Sequence, residues 1–253
     1  VVVDELQDAL QGKPRNRGVQ TKIPLLNSLT GGLCPGKLWI ICGETSDGKS
    51  VLAQNLATAF ADASQTGAVY SWEMPDTDIT RRTVADVANV SLDIYNGDGA
   101  ATNSDLAALG KASRWVKDHG SKIEIVNASS LSFHDVCADI RIKSSRRGIK
   151  FVVIDYLQLM DLNDLDRARE QQIAKACASL YRLASALEFT LIILSQLNDD
   201  GKLRESRSPG MDCDVMLTIQ KVMKEDGESD ERRRNVWLSK NRGGQRFVTI
   251  PCV

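Results

Sequence analysis

Histidine is scarce, with two in 253 residues, and aromatic side chains make up only 5% of the chain. The six cysteines, Cys34, Cys42, Cys137, Cys177, Cys213 and Cys252, are scattered and form no C-x-x-C pair. Neither a zinc site nor a disulfide framework is suggested, and a reducing, cytosolic compartment is the expected setting. No apolar run approaches the roughly 20 residues that a membrane-spanning helix needs, and no signal peptide opens the chain. A cytoplasmic protein without a membrane partner is expected. An excess of charge is missing too: the formal net charge is −1. The chain as a whole therefore does not coat nucleic acid electrostatically, although a local basic surface stays open. Internal repeats and low-complexity tracts are absent from the sequence, and its opening on Val1 reads as that of a piece of a longer or processed chain.

Apolar and helical patterns alternate along most of the length. Val2, Leu6, Ala9 and Leu10 share one helical face before Gly12-Lys13-Pro14-Arg15-Asn16-Arg17-Gly18 breaks the pattern. Residues 1–18 therefore read as a linker helix and tether, either docked on a neighbouring subunit or frayed. Residues 19–253 read as one α/β domain. Strands are expected at Leu38–Cys42, Ala68–Glu73, Lys122–Val126, Lys150–Asp155 and Phe189–Ser195, then at 214–220, 234–240 and 246–251. Helices are expected after Ser50, from Asp76 or Asp78 to Ala88, and over Ser104–Lys117, Phe133–Arg146 and Arg169–Ala186. The unbroken apolar runs point to a mostly parallel twisted sheet covered on both faces. The Gly-containing turns near Gly227 and Gly243-Gly244 point to antiparallel strands at its C-terminal end. The charge runs at Arg146-Arg147 and Arg232-Arg233-Arg234 read as solvated surface, with nucleic-acid contact as the lesser alternative.

Between the first strand and the first long helix lies Gly43-Glu44-Thr45-Ser46-Asp47-Gly48-Lys49-Ser50, which matches G-x-x-x-x-G-K-S/T in the strand–loop–helix context that the motif requires. Gly43 and Gly48 permit turns that aim backbone N–H groups at phosphate oxygens, and the helix N-terminus adds partial positive charge. Lys49 is expected to reach the β and γ phosphates of ATP, and Ser50 to offer its hydroxyl to Mg²⁺.

In an open α/β sheet, ligands gather at the carboxyl ends of the strands, so polar residues that end apolar runs are the candidates. Asp155 ends Phe151–Ile154, where a carboxylate can hold Mg²⁺ opposite Ser50. Glu73 ends the second strand, where it can take a proton from the attacking water; the competing reading is a surface ion pair with Arg81 or Arg82. Gln196 ends Leu191–Leu194, where its amide can sense the γ phosphate.

Four phrases follow the phosphate loop in order: Ser71-Trp72-Glu73-Met74-Pro75, Val153-Ile154-Asp155-Tyr156-Leu157-Gln158-Leu159-Met160, Leu194-Ser195-Gln196-Leu197-Asn198 and Leu203-Arg204-Glu205-Ser206. In this order they resemble the C-terminal motor domain of DnaB-type replicative helicases, over roughly Val19 to Val253. The resemblance implies a RecA-like P-loop ATPase fold and a homo-hexameric ring that moves 5′ to 3′ on single-stranded DNA at the expense of ATP. Primase and a helicase loader are among the partners it implies.

By the same resemblance the catalytic carboxylate falls on Glu73, the Mg²⁺-associated Asp on Asp155 and the γ-phosphate-sensing Gln on Gln196. The nucleotide-contacting Arg falls on Arg82, with Arg81 beside it as the competitor. Ser239-Lys240-Asn241-Arg242-Gly243-Gly244 resembles the segment whose Lys and Arg, here Lys240 and Arg242, reach the nucleotide of the next subunit; the other reading is a basic hairpin tip in solvent. The loop with Arg204, Glu205, Ser206 and Arg207 resembles a segment that touches the DNA backbone. It departs from the family pattern at Arg207, where Gly is usual, and at Pro209-Gly210-Met211. Two rival functions share parts of the pattern: a RadA-like or KaiC-like ATPase of recombination or regulation, and a nucleotide-binding ring component or helicase-loading partner that does not unwind DNA.

Overall fold

In a computed structural model, the described residues are 10, 18–156, 169–197, 212–224 and 229–252. The expected linker helix falls outside them except for Leu10, and the loop at Arg204–Arg207 falls outside them entirely. Eight strands form one sheet: β1 (Leu38–Gly43), β2 (Gly67–Ser71), β3 (Ile123–Asn127), β4 (Phe151–Asp155), β5 (Thr190–Gln196), β6 (Val215–Met223), β7 (Ser229–Asn241) and β8 (Val248–Cys252). Their order across the sheet is β3-β2-β4-β5-β1-β6-β7-β8. The first six in that order are parallel, and β7 and β8 are antiparallel to their neighbours.

The helices are α1 (Pro24–Thr30), α2 (Lys49–Asp62), α3 (Asp76–Ala88), α4 (Leu92–Asn96), α5 (Asn103–His119), α6 (Phe133–Arg147) and α7 (Arg169–Leu187). Strand alternation splits the core in two. Leu38, Ile40 and Cys42 of β1 pack with Val136 and Ile140 of α6 and with Ile173, Leu180 and Ala184 of α7. Trp39 and Ile41 point the other way, to Leu52, Leu56 and Phe60 of α2 and Leu26 of α1. With helices on both sides, every residue of β1, β2 and β4 is buried, which is why these strands read as unbroken apolar runs. In β6, by contrast, burial alternates at its start, with Val215, Leu217 and Ile219 buried. Phe60 of α2 stacks on Phe151 of β4 with centroids 4.8 Å apart. Gly67 makes room beside that ring, since a Cβ there would meet Phe151 Cδ1 at 2.3 Å.

Three differences from the sequence reading have local causes. The second strand ends at Ser71 and not at Glu73, because Ser71 Oγ accepts the Met74 N–H at 3.0 Å and donates to Met74 O at 2.9 Å, which turns the chain. Helix α1 has no counterpart in the sequence reading, although Pro24 starts it and Gly31, at φ +76°, ends it. The Arg147 side chain is not simply solvated: it donates to Glu124 Oε2 at 2.7 Å.

Glu124 belongs to a charge network that ties α6 to β2 and β3. Lys143 contacts Glu124 at 3.0 Å and Asp139 at 2.5 Å. The fully buried Tyr70 donates its hydroxyl to Asp139 at 2.8 Å. Burial, with this bond to a carboxylate, raises the phenol's pKa far above its usual value. Tyr70→Phe removes a hydrogen bond to a charged acceptor that keeps Lys143 as a partner, so a loss of about 1–2 kcal/mol is expected in urea unfolding. An unchanged midpoint and slope would show that the bond contributes nothing.

Candidate active site

The carboxyl ends of β1, β2, β4 and β5 meet at one edge of the sheet. Gly43 is level with Gln196 in the β1–β5 register, and Ser71 with Asp155 in the β2–β4 register. Two backbone bonds stitch these ends together: Leu197 N–H to Gly43 O at 3.3 Å and Trp72 N–H to Asp155 O at 3.0 Å. The loop between β1 and α2 contains two left-handed residues, Ser46 at φ +66° and Gly48 at φ +100°. Gly48 caps α2 directly, so the helix N-terminus opens into the loop. Glu44, Thr45 and Ser46 are exposed, whereas Asp47 is buried.

Lys49 folds back over the loop and donates to Gly43 O at 3.0 Å and Glu44 O at 2.5 Å. Partial burial lowers its pKa, against the opposing charges of Asp47, Asp155, Glu73 and Cys42. Ser50 Oγ donates to Asp155 Oδ2 at 2.9 Å. Burial raises the Asp155 pKa; the Ser50 bond opposes the rise, the Glu73 charge adds to it, and Lys49 and Arg82 oppose it. Ser50, Lys49, Glu73 and Arg82 thus all act on Asp155, and Glu73 acts on Lys49 as well. Arg81 instead pairs along α3 with Asp78 at 3.4 Å. A hydroxyl and a carboxylate facing each other beside the loop are a hard-oxygen pair suited to Mg²⁺.

Lys240 and Arg242 do not join this group. Asn241 is level with Val215, and Val215 with Trp39, so the end of β7 lies beside the start of β1, at the opposite edge of the sheet from the loop. Two other residues come close instead: Lys221, which has no role in the sequence analysis, and Arg234, which reads there as part of a solvated charge run. Lys221 Nζ lies 3.5 Å from carboxylate oxygens of both Glu44 and Asp47. Arg234 donates from Nε to the Asp47 carbonyl at 3.2 Å, so the last residue of the Arg232–Arg234 run is turned onto the loop and is not simply solvated. The strand-end rule extended to β6 would have found Lys221. Beside the loop opens a cleft of about 620 Å³, lined in part by Ser46, Gly48, Val51, Arg234 and Cys252.

A phosphate-type loop at the carboxyl edge of a mostly parallel sheet, with a carboxylate at the end of a nearby strand and another just beyond its neighbour, defines a RecA-like P-loop domain. The family described as DnaB-like helicase C terminal domain matches residues 18–250, and the chain belongs to it. A curated relative from Leifsonia xyli subsp. xyli, named replicative DNA helicase DnaB, is 29% identical over 233 residues, or 87% of this chain and 50% of the relative. Among solved structures, one described as an ATPase domain aligns with a TM-score of 0.84 at 23% identity, over 99% of this chain and 92% of that one. "The Structure Of A DnaB-Like Replicative Helicase And Its Interactions With Primase" aligns with a TM-score of 0.85 at 23% identity, over 99% of this chain and 62% of that one. The chain spans about half the length of the curated relatives it matches. No described helix is long and apolar enough to cross a membrane.

Proposed function

We propose that this domain is the ATP-hydrolysing motor of a hexameric replicative DNA helicase that travels 5′ to 3′ on single-stranded DNA and separates duplex ahead of it. The observation that carries the reading is the Ser50–Asp155 hydrogen bond beside the phosphate loop, with Glu73 and Lys49 in electrostatic reach. ATP would lay its phosphates along the loop from Gly43 to Ser50, and the neighbouring cleft offers room for base and ribose. Lys49 would leave the carbonyls of Gly43 and Glu44 for the β and γ phosphates. Ser50 and Asp155 would hold Mg²⁺, which neutralises phosphate charge when bound. Glu73 would accept the proton of the attacking water. Gln196, level with Gly43, is suited to report the γ phosphate to the chain that follows β5. Arg82 adds positive charge near Asp155, and Lys240 and Arg242 would serve the nucleotide of the next subunit.

The test is ATP turnover with and without single-stranded DNA, together with strand separation on a forked duplex. DNA-stimulated turnover with strand separation is expected. Nucleotide binding without turnover would favour a ring component or loading partner, and turnover without strand separation a recombination or regulatory ATPase.

DNA contact is assigned to Arg204, Glu205, Ser206 and Arg207, which lie outside the described residues. Backbone contacts carry no base information and release counterions. Arg204→Ala is therefore expected to weaken binding equally across sequences and to reduce the slope of log K against log salt by about 0.7. A loss confined to one sequence, or an unchanged slope, would remove Arg204 from the backbone.

A further inference from the structure

Asp47 stands inside the phosphate loop and is only 3% exposed. A carboxylate there repels an arriving polyanion unless something balances it. Its Oδ2 accepts the Glu44 N–H at 2.7 Å, and its own N–H returns to Glu44 O at 3.4 Å. Its buried Oδ1 accepts no hydrogen bond among the described residues. Lys221 Nζ faces Oδ1 at 3.5 Å and is shared with Glu44 Oε2, while Lys49 on the other side of the loop also acts on the Asp47 charge. Arg234, which is opposite Lys221 in the β6–β7 register, holds the Asp47 carbonyl. The same Arg is fixed by Nη1 bonds to Asp230 O at 2.6 Å and Arg233 O at 2.8 Å. Gly43 leaves room for the carboxylate, since a Cβ there would meet Asp47 Oδ2 at 3.2 Å and Asp47 Cβ at 3.3 Å.

We infer that Asp47 is a positioning residue that braces the phosphate loop against the end of β6 and the first half of β7, and that Lys221 supports nucleotide binding by neutralising Asp47 and not by touching phosphate. The inference rests on the reading that this loop binds nucleotide. Removing one partner of a sheltered charge pair leaves the other uncompensated, whereas removing both charges leaves no such penalty. Lys221→Met therefore leaves Lys49, the residue the phosphates themselves require, as the neighbouring charge against Asp47. Asp47→Asn keeps an oxygen for the Glu44 N–H, removes the charge and makes Lys221 largely dispensable.

The experiment is a double-mutant cycle on the affinity for a fluorescent ADP analogue. Lys221→Met is expected to weaken binding about tenfold in the wild-type background and less than about threefold beside Asp47→Asn. Lys221 is 39% exposed, so its loss should leave the fold intact. An equal loss in both backgrounds overturns the inference, because Lys221 would then contact phosphate directly; no loss in the wild type overturns it as well. Hydrogen exchange of a peptide spanning 43–48, measured without nucleotide, provides an independent arm. Asp47→Ala removes the acceptor of the Glu44 N–H and should speed exchange several-fold, and unchanged exchange would overturn the brace. Lys49→Ala separates the two levels: unaltered affinity there defeats the cradle reading and this inference together, while lost affinity beside an additive cycle defeats this inference alone.

Discussion

Glu73→Gln is expected to bind ATP as the wild type does and to hydrolyse it about 10²–10⁴-fold more slowly, the range for loss of a positioned general base. In barrier terms that is about 3–5 kcal/mol. The substitution keeps shape and hydrogen-bonding reach while removing the basic oxygen. The position argues for the effect. Glu73 lies within the Ser71–Met74 turn, next to Trp72, whose N–H is bonded to the carbonyl of Asp155. Its charge adds to the rise of the Asp155 pKa and opposes the lowering of the Lys49 pKa by burial. Arg81, a candidate partner for a merely structural Glu73, is paired with Asp78. Nucleotide affinity and single-turnover hydrolysis measured on the same preparation separate binding from chemistry. Turnover within about threefold of wild type would assign the proton transfer to another group.

The parts of the site that could be read from sequence are those that chemistry and burial constrain locally. The run from Gly43 to Ser50 needs left-handed turns, a lysine and a hydroxyl at fixed spacing, and β4 and β5 need uninterrupted apolar residues because both their faces are covered. The end of β2 lies two residues before the one its hydropathy suggests, because a side-chain turn sets it. Helix α1 had its signals in Pro24 and Gly31, but its seven residues are too short for a clear period. Lys221 and Arg234 were missed for a different reason. Their proximity to Asp47 depends on how β6 lies beside β1 and β7 beside β6, and the Arg234–Asp47 contact spans 187 residues. An arginine turned onto a loop and an arginine in solvent have the same sequence signature when the register is unknown.

That same register makes Arg242 a sharp test. Arg242 N–H donates to Asp214 O at 2.8 Å, and Asp214 N–H to Leu38 O at 2.9 Å, so Arg242 sits at the start of β1. Its own phosphate loop begins five strand steps further on, roughly 16 Å away at about 3.3 Å per residue. The turn that carries it is held firmly: Asn241, 7% exposed, donates to Leu29 O at 2.8 Å and Gln245 O at 3.0 Å and accepts the Gly243 N–H at 3.1 Å. Gly244 is required there, since a Cβ would meet Leu29 O at 2.9 Å. An arginine on a fixed turn, remote from its own loop, serves a nucleotide only if that nucleotide belongs to a neighbour. Rings of Arg242→Ala subunits are therefore expected to assemble and bind ATP, yet to hydrolyse it about 10³-fold more slowly, because transition-state charge loses its partner. Mixing them with Glu73→Gln subunits should restore part of the turnover, since only mixed rings contain interfaces with Glu73 on one side and Arg242 on the other. If mixed assembly is confirmed by mass and no ratio exceeds both parents, or if Arg242→Ala alone turns over ATP at the wild-type rate, Arg242 has no part in hydrolysis and the β7–β8 turn is a surface feature.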